Sequence, residues 1–330
     1  MKILITGITG FVGSHLAEYI INLKEEHQIY GICRWRSPRD HLANIYDKVS
    51  LFEGDLSDLG ALIRHIKTIK PDVIFHLAAQ SFVLTSFNSP IHTLWTNVIG
   101  TANLLEAVRI LEIDPVIHVC SSSEVYGQVT EKDVPIKETC PFKPASSYAV
   151  SKVAEDMLAL QYWLSFKLRT IRTRMFTHTG PRRGDVFAMS FFAKQVAAAE
   201  LGLAEPVIKV GNLKSIRTFC DVRDAVRAYW IMINKCQAGE VYNIGGNRTM
   251  TIGEALEILL TFSKMKFEIS IDPSLLRPSD VTLQIPCIDK FKNETGWEPK
   301  IPLEKTLEDL LSYWRQELKV RSWKALTVVK

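Results

Sequence analysis

With 330 residues, 47% hydrophobic and 23% charged, the chain has the balance of a globular protein of about two domains. Forty Lys and Arg against 36 Asp and Glu leave a net charge of +4, too weak a bias for a general polyanion binder, so no nucleic-acid partner is expected. The chain has no apolar run of the ~18 residues that would suggest a membrane span. Its start, MKILITGITG, does not read as a signal peptide. Six scattered cysteines, with no CxxC and no Cys/His cluster, point to a reducing cytoplasm and to neither a disulfide frame nor a metal.

The first half alternates β-rich runs with amphipathic stretches. KILIT (2–6) reads as a buried strand, and SHLAEYIINL (14–23) has apolar residues at helical spacing. QIYGICR (28–34) and VSLFEGD (49–55) read as the next strands, LGALIRHIK (59–67) as a helix, and DVIFHLAA (72–79) as a fourth strand. TLWTNVIGTANLLEAVRIL (93–111) predicts one long helix, followed by the strand VIHVCSSS (116–123). This βαβα rhythm predicts an α/β fold, a doubly wound parallel sheet with helices on both faces.

The second half breaks the rhythm. Residues 146–166 read as a helix, LRTIRTRMF (168–176) as a strand, and the Gly-, Pro- and Arg-rich loop 179–185 as a crossing into a second unit. FFAKQVAAAEL, AVRAYWIMINK, TIGEALEILLTF and LEKTLEDLLSYWRQEL (303–318) read as helices, with VIKVGN and VYNIGG as short strands between them. The expectation is a cofactor domain over 1–176 that also receives segments near 219–246. A smaller, interleaved C-terminal α/β substrate domain would cover 177–330.

After the first strand, Gly7, Gly10 and Gly13 recur at three-residue spacing at the mouth of a helix. Glycines let the backbone turn sharply and approach a pyrophosphate, whose charge then sits at the helix N-terminus. A plain tight turn is the alternative. Where a NAD site usually offers an acid to the ribose hydroxyls, this chain has Arg34-Trp35-Arg36. A guanidinium suits a 2′-phosphate, so NADP is favoured over NAD, unless these arginines face solvent or a partner subunit. Asp55 and Leu56 follow the third strand, where they would meet an adenine; a helix-capping Asp55 is the other reading.

Tyr148 and Lys152 stand four residues apart on one helix face. A nearby ammonium lowers a phenol's pKa and can hold a ribose, letting the tyrosine exchange a proton near neutral pH. Upstream, a strand ends in Ser121-Ser122-Ser123, whose hydroxyls can hydrogen-bond the oxygen that Tyr148 protonates or deprotonates. His76, inside an apolar strand, reads as a satisfied core histidine.

With these elements the chain resembles the extended short-chain dehydrogenase/reductase family over nearly its whole length. TGITGFVGSHL, HLAAQS, NVIGT, SSSEVYG, YAVSK, DVRDAVRAYW and VYNIGG carry the likeness. It implies a Rossmann-type fold and a Ser122–Tyr148–Lys152 triad. It also implies a cofactor lined by Thr9, Phe11, Val12, Leu77, Ala78, Ala79 and His178, the last through a structural hydrogen bond. HTGPRRGDVF (178–187), KVGNLKSIR (209–217), LRPSD (276–280) and TGWEPKIPLEKTLEDLL (295–311) are similar to GDP-mannose 4,6-dehydratases and GDP-4-keto-6-deoxy-mannose reductases. That likeness implies a GDP-sugar substrate held by Ser81, Thr177, Lys194, Asn212, Arg217 and Arg277. Arg182 and Arg183 resemble a loop that meets a neighbouring subunit's cofactor. A homodimer or homotetramer is implied, joined through helices such as 93–111 and 146–166. Ser122 stands where the dehydratases generally have Thr, Thr177 where they have Asn, and Thr218 where they have Asp. These departures leave a related GDP-hexose or heptose open as the sugar.

Chemistry separates the two activities. Removing water across C5–C6 of a hexose needs a base for the C5 proton and an acid for the C6 hydroxyl, beyond the hydride transfer that a ketone reductase performs. Glu124, directly after Ser123, is the carboxylate placed for that work, and Ser123 would assist the departing hydroxyl; a loop-capping glutamate is the bland alternative, and the resemblance implies that reductases of this group can also carry a glutamate here. Residues 167–230 carry 12 Lys and Arg against 5 Asp and Glu, a basic stretch where a diphosphate would bind.

Overall fold

The structure is a computed structural model that describes the backbone of residues 1–328 and the side chains of residues 1–320. The last two positions of the expected substrate domain lie outside the described residues. The first half contributes strands β1 (Lys2–Thr6), β2 (Gln28–Cys33), β3 (Val49–Glu53), β4 (Val73–His76), β5 (Val116–Ser122) and β6 (Thr170–Met175). The second contributes β7 (His178–Thr179), β8 (Val207–Val210), β9 (Ile216–Thr218) and β10 (Cys220–Asp221), then β11 (Val241–Ile244), β12 (Thr249–Thr251), β13 (Glu268–Ile271) and β14 (Leu283–Gln284).

Seven of these strands make one parallel sheet in the order β11-β6-β5-β4-β1-β2-β3. The chain winds outward from β1 through β2 and β3, then returns to build β4, β5, β6 and β11 on the other side. The order reverses between β1 and β4, and open sheets of this kind hold ligands at the carboxyl ends of their strands there. This is the doubly wound Rossmann-type α/β fold expected from the sequence. Because side chains alternate along a strand, Ile3 and Ile5 of β1 enter one core and Leu4 the other.

On one face, helix α1 (Phe11–Asn22) packs with a later helix of residues 222–235 around Ile3, Ile5, Leu16, Ile20 and Tyr229. On the other face lie α2 (Leu59–Ile69), then α3 (Val83–Asn88), α4 (Pro90–Leu94), α5 (Gly100–Ile110) and α6 (Ser147–Phe166). Leu4, Ile74, Leu104, Leu105, Ile117 and Tyr162 fill that second core. A separate core forms where α7 (Ala188–Glu200) meets two helices beyond α8 (Val222–Lys235), namely α9 (Ile252–Leu260) and, after α10 (Asp289–Thr295), α11 (Leu303–Val328). Phe192, Val196, Leu256, Leu307, Leu311 and Trp314 are buried in it. Three small sheets, β12-β9-β14, β13-β8 and β10-β7, border this part.

Two expectations change in detail. The stretch 93–111 is not one regular helix: Pro90 starts α4 early, and a π-helical turn, Trp95–Ile99, separates it from α5. That turn places Asn97 so that its amide bonds both backbone groups of Gln80, at 2.7 and 3.0 Å, and the Ser151 hydroxyl at 2.9 Å. The strand expected over 72–79 stops at His76. Thr6 Oγ1 accepts the amides of Leu77 and Ala78, both at 3.2 Å, which turns the chain out of the sheet.

Candidate active site

A cleft of about 1210 Å³ opens along the carboxyl ends of β1, β4 and β5 and runs into the smaller unit. Single-ligand pockets usually hold ~300–1,000 Å³, so this one has room for two ligands side by side.

One half is built on the glycine turn. Gly7 has φ +73°, and a Cβ there would lie 2.9 Å from the Ala78 Cα. A Cβ on Gly13 would come within 2.3 Å of the Gly7 carbonyl oxygen. Gly10 caps α1 with no side-chain hydrogen bond. The first helical amides are thus left bare at a surface that only glycine can form, as a dinucleotide pyrophosphate requires. Thr9, Phe11, Val12, Arg34, Asp55, Leu56, Leu77, Ala78 and Ala79 line the same half. Asp55 resists burial through hydrogen bonds from the Ser57 amide and hydroxyl, at 2.9 and 2.8 Å, and its carboxyl is lowered overall. Arg36 is a correction: it does not line the cleft, and its guanidinium lies over the exposed Trp35 ring at 4.4 Å.

The middle of the cleft joins β5 to α6. Ser146 caps α6 by accepting the Ala149 amide at 3.0 Å, which starts the helix one residue before Tyr148. Burial raises the Tyr148 phenol, while Lys152 and a hydrogen bond with Ser122 pull it back down. Lys152 Nζ donates to the Cys120 carbonyl at 2.9 Å and to Glu155 Oε2 at 2.8 Å. Burial works against the ammonium, but Glu155, Tyr148 and Cys120 together outweigh it and keep Lys152 protonated. Glu124 follows on a short turn, its amide donating to Ser122 Oγ at 3.2 Å. Burial pushes its carboxyl up, against the pull of Arg277, 4.0 Å away, and of Arg217. Ser123 Oγ donates to Gln284 Oε1 at 3.1 Å.

His178 also lines the cleft. Its ring stacks on Phe11 with centroids 5.7 Å apart, and Nδ1 donates to the Phe176 carbonyl at 3.2 Å. Burial and the Arg183 charge lower it to about 3, so it is neutral and poorly suited to act as an acid.

The far half holds Ser81, Thr177, Asn212, Arg217 and Arg277. Asn212 Nδ2 donates to Asp280 Oδ2 at 2.8 Å and to Ser215 Oγ at 3.0 Å, tying the turn after β8 to the segment that carries Arg277. Arg217 is buried on β9, and desolvation lowers its guanidinium. Lys194 is the second correction: it lies outside the cleft, paired with Asp185 at 2.6 Å and standing 5.5 Å from the Trp314 ring centroid. The arginine pair divides. Arg182 turns back onto α1 to meet Glu18 at 2.7 Å, whereas Arg183 enters the cleft over Phe187, 3.5 Å from its ring centroid.

The basic stretch 167–230 is therefore mostly neutralised by structural pairs. Arg172 and Arg174 share Asp156, each at 2.8 Å, and Arg223 and Arg227 meet Asp221 and Asp224, each at 2.7 Å. Only Arg183 and Arg217 of that stretch line the cleft, joined by Arg277 from outside it. The site also uses residues that the sequence reading passed over. Gln284 is nearly fully buried beside Ser123, and its Nε2 has no partner among the described residues. Asn97 sits inside the NVIGT stretch, which could have flagged it; Gln284 and Glu155 carry no motif.

Comparison with known proteins follows this geometry. The "GDP-6-deoxy-D-mannose reductase" of Pseudomonas aeruginosa is 32% identical over 318 residues, covering 96% of this chain and 98% of the relative. The "GDP-mannose 4,6-dehydratase" of Yersinia enterocolitica is 33% identical over 358 residues, covering 96% and 95%. Among solved structures, that of RMD from Pseudomonas aeruginosa complexed with NADPH superposes with a TM-score of 0.82 at 31% identity, covering 96% of this chain and 99% of that one. The sequence model of the GDP-mannose 4,6 dehydratase family matches residues 4–310, and the chain belongs to that family.

Proposed function

We propose that the protein is a GDP-mannose 4,6-dehydratase that forms GDP-4-keto-6-deoxy-mannose, a lyase working with NADP. The observation that carries this reading is Glu124, a carboxyl that burial raises above its ordinary value, in the same cleft as Ser122, Ser123 and Tyr148. Tyr148, held between Ser122 and Lys152, would take the proton of the C4 hydroxyl. Glu124 would remove the C5 proton, made acidic by the C4 ketone, and deliver it to the C6 hydroxyl, which leaves as water; a proton from solvent would later return to C5. Ser123 would hydrogen-bond the departing C6 hydroxyl. When bound, the nicotinamide supplies hydride acceptance at C4 and hydride donation at C6. The Gly7–Gly13 turn would hold its pyrophosphate, Arg34 its 2′-phosphate, Asp55 and Leu56 its adenine, and Lys152 its nicotinamide ribose. Arg183, Arg217 and Arg277 supply cations for the substrate diphosphate, with Asn212, Ser81 and Thr177 beside it.

We assign 1–176 to the cofactor domain, with β10, α8 and β11 joining it from the second half, and 177–330 to the substrate domain. The six cysteines are free thiols, which suits the cytoplasm. No described helix is long and apolar enough to cross a membrane. Exposed Ile91, Trp95, Val150 and Leu164, on or next to α4 and on α6, support a homodimer through those helices.

A second reading is an NAD(P)H-dependent reductase of the 4-keto product. One observation favours it: the reductase aligns over 318 residues, whereas the dehydratase alignment stretches to 358, so the dehydratase carries insertions that this chain lacks. Incubation with GDP-mannose and catalytic NADP, followed by mass analysis, decides. Loss of one water without net cofactor reduction supports the dehydratase. No change in GDP-mannose, with NADPH consumed by the 4-keto sugar, supports the reductase.

A further inference from the structure

Glu155 is a buried carboxylate near Tyr148, at 1% exposure, and none of the proposed chemical steps uses it. It stands one helical turn beyond Lys152, seven residues after Tyr148. One of its oxygens accepts from Lys152 Nζ at 2.8 Å; the other, Oε1, has no partner among the described residues. The next residue, Asp156, is engaged by Arg172 and Arg174 of β6, and Arg172 Nε is left without a partner among the described residues. The other titratable groups around the Lys152–Glu155 pair are Tyr148 and Asp156 on α6, Cys120 and His118 on β5, and His76 on β4, with both histidines neutral because burial lowers each to about 3. Burial raises the Glu155 carboxyl, against the attraction of Lys152, to about 7. A buried ion pair offsets its desolvation only when its geometry is close, and removing one partner leaves a costly uncompensated charge.

We infer that Glu155 is a positioning residue: it clamps Lys152 Nζ against the Cys120 carbonyl behind Tyr148, and its charge sets how strongly the ammonium favours the Tyr148 phenolate. With two N–H groups of Lys152 tied to Cys120 and Glu155, one remains to face the cleft. An ionised Glu155 compensates the ammonium and holds the phenol's proton more tightly; a neutral residue there exposes Tyr148 to the full positive charge. The device rests on Tyr148 being the acid/base proposed above, and it governs the pH at which that tyrosine works.

The test compares the full-length protein with Glu155→Gln and Glu155→Ala. Gln keeps an acceptor oxygen for Lys152 and removes the charge, so NADPH affinity, read by fluorescence titration, stays within about twofold of the parent. Its acid limb of kcat against pH moves down by about one unit, a tenfold change in phenol acidity. Ala removes the clamp, and the NADPH Kd rises on the order of tenfold. An unmoved acid limb in the Gln variant, or parent-like NADPH binding in the Ala variant, would overturn the inference. If the Ala variant fails to fold, as judged by its thermal melt, the Gln variant decides alone. NADPH binding reads the placement of Lys152 whichever sugar the enzyme takes, so failure of this inference is separable from failure of the GDP-mannose reading.

Discussion

The Arg277 guanidinium faces the Glu124 carboxylate at 4.0 Å, and the same arginine lies 3.8 Å from Asp280. The carboxylate proposed as the base for elimination is thus charge-coupled to a segment that also lines the substrate half of the cleft. Burial lifts Glu124 toward neutrality and Arg277 restrains the lift, so the pair sets the pH at which Glu124 can accept a proton.

Replacing Glu124 by Gln should lower dehydration by about 10²–10⁴-fold, the usual worth of a positioned acid/base, with C4 oxidation still detectable as a rise in NADPH absorbance. Arg277→Ala removes an attraction that favours the carboxylate, so the Glu124 pKa rises and the acid limb of C5–H exchange with solvent moves to higher pH. An acid limb that moved down instead would mean that Glu124 does not act as the base.

Arg34 lines the cleft and Arg36 does not, so the proposed 2′-phosphate contact falls to Arg34. Arg34→Ala should weaken NADP binding about tenfold or more while changing NAD binding little, as expected for a lost charge-assisted phosphate contact. Arg36→Ala, which removes a side chain stacked on Trp35, should leave NADP affinity within about twofold. Titration with both nucleotides checks the pair.

Among the cations beyond β6, Arg217 lines the cleft and Lys194 does not. Arg217→Ala should raise the KM for GDP-mannose by about tenfold or more. Lys194→Ala breaks only a partly exposed pair with Asp185 and should change it less than about threefold. Equal effects would bring Lys194 into the site.

Asp156 neutralises two buried arginines at once. Asp156→Ala leaves both unpaired and should cost about 3–5 kcal/mol of stability, seen as a fall in the melting temperature of the intact protein.

Much of this site was legible because its chemistry is local in the chain. The glycine spacing after β1, the Tyr148–Lys152 spacing on α6 and the serines ending β5 are each written in consecutive residues. What could not be read is long-range. Gln284 reaches Ser123 from a strand laid down 161 residues later, and no short window announces that contact. The surplus of positive charge in 167–230 suggested a phosphate site, yet Asp156 and Glu18, both outside that stretch, absorb three of its arginines. Periodicity likewise marked 93–111 as helical but not the π turn at Trp95–Ile99, because an added residue in one turn hardly disturbs the apolar pattern.

The most direct test of the central claim uses GDP-mannose deuterated at C4, incubated with the enzyme and catalytic NADP, the product being read by NMR. Internal hydride return predicts a 4-keto-6-deoxy sugar that has lost one water and carries the deuterium at C6, with no NADPH accumulating. Deuterium retained at C4 in unchanged substrate, alongside NADPH oxidation by added 4-keto-6-deoxy sugar, would contradict the dehydratase and establish the reductase.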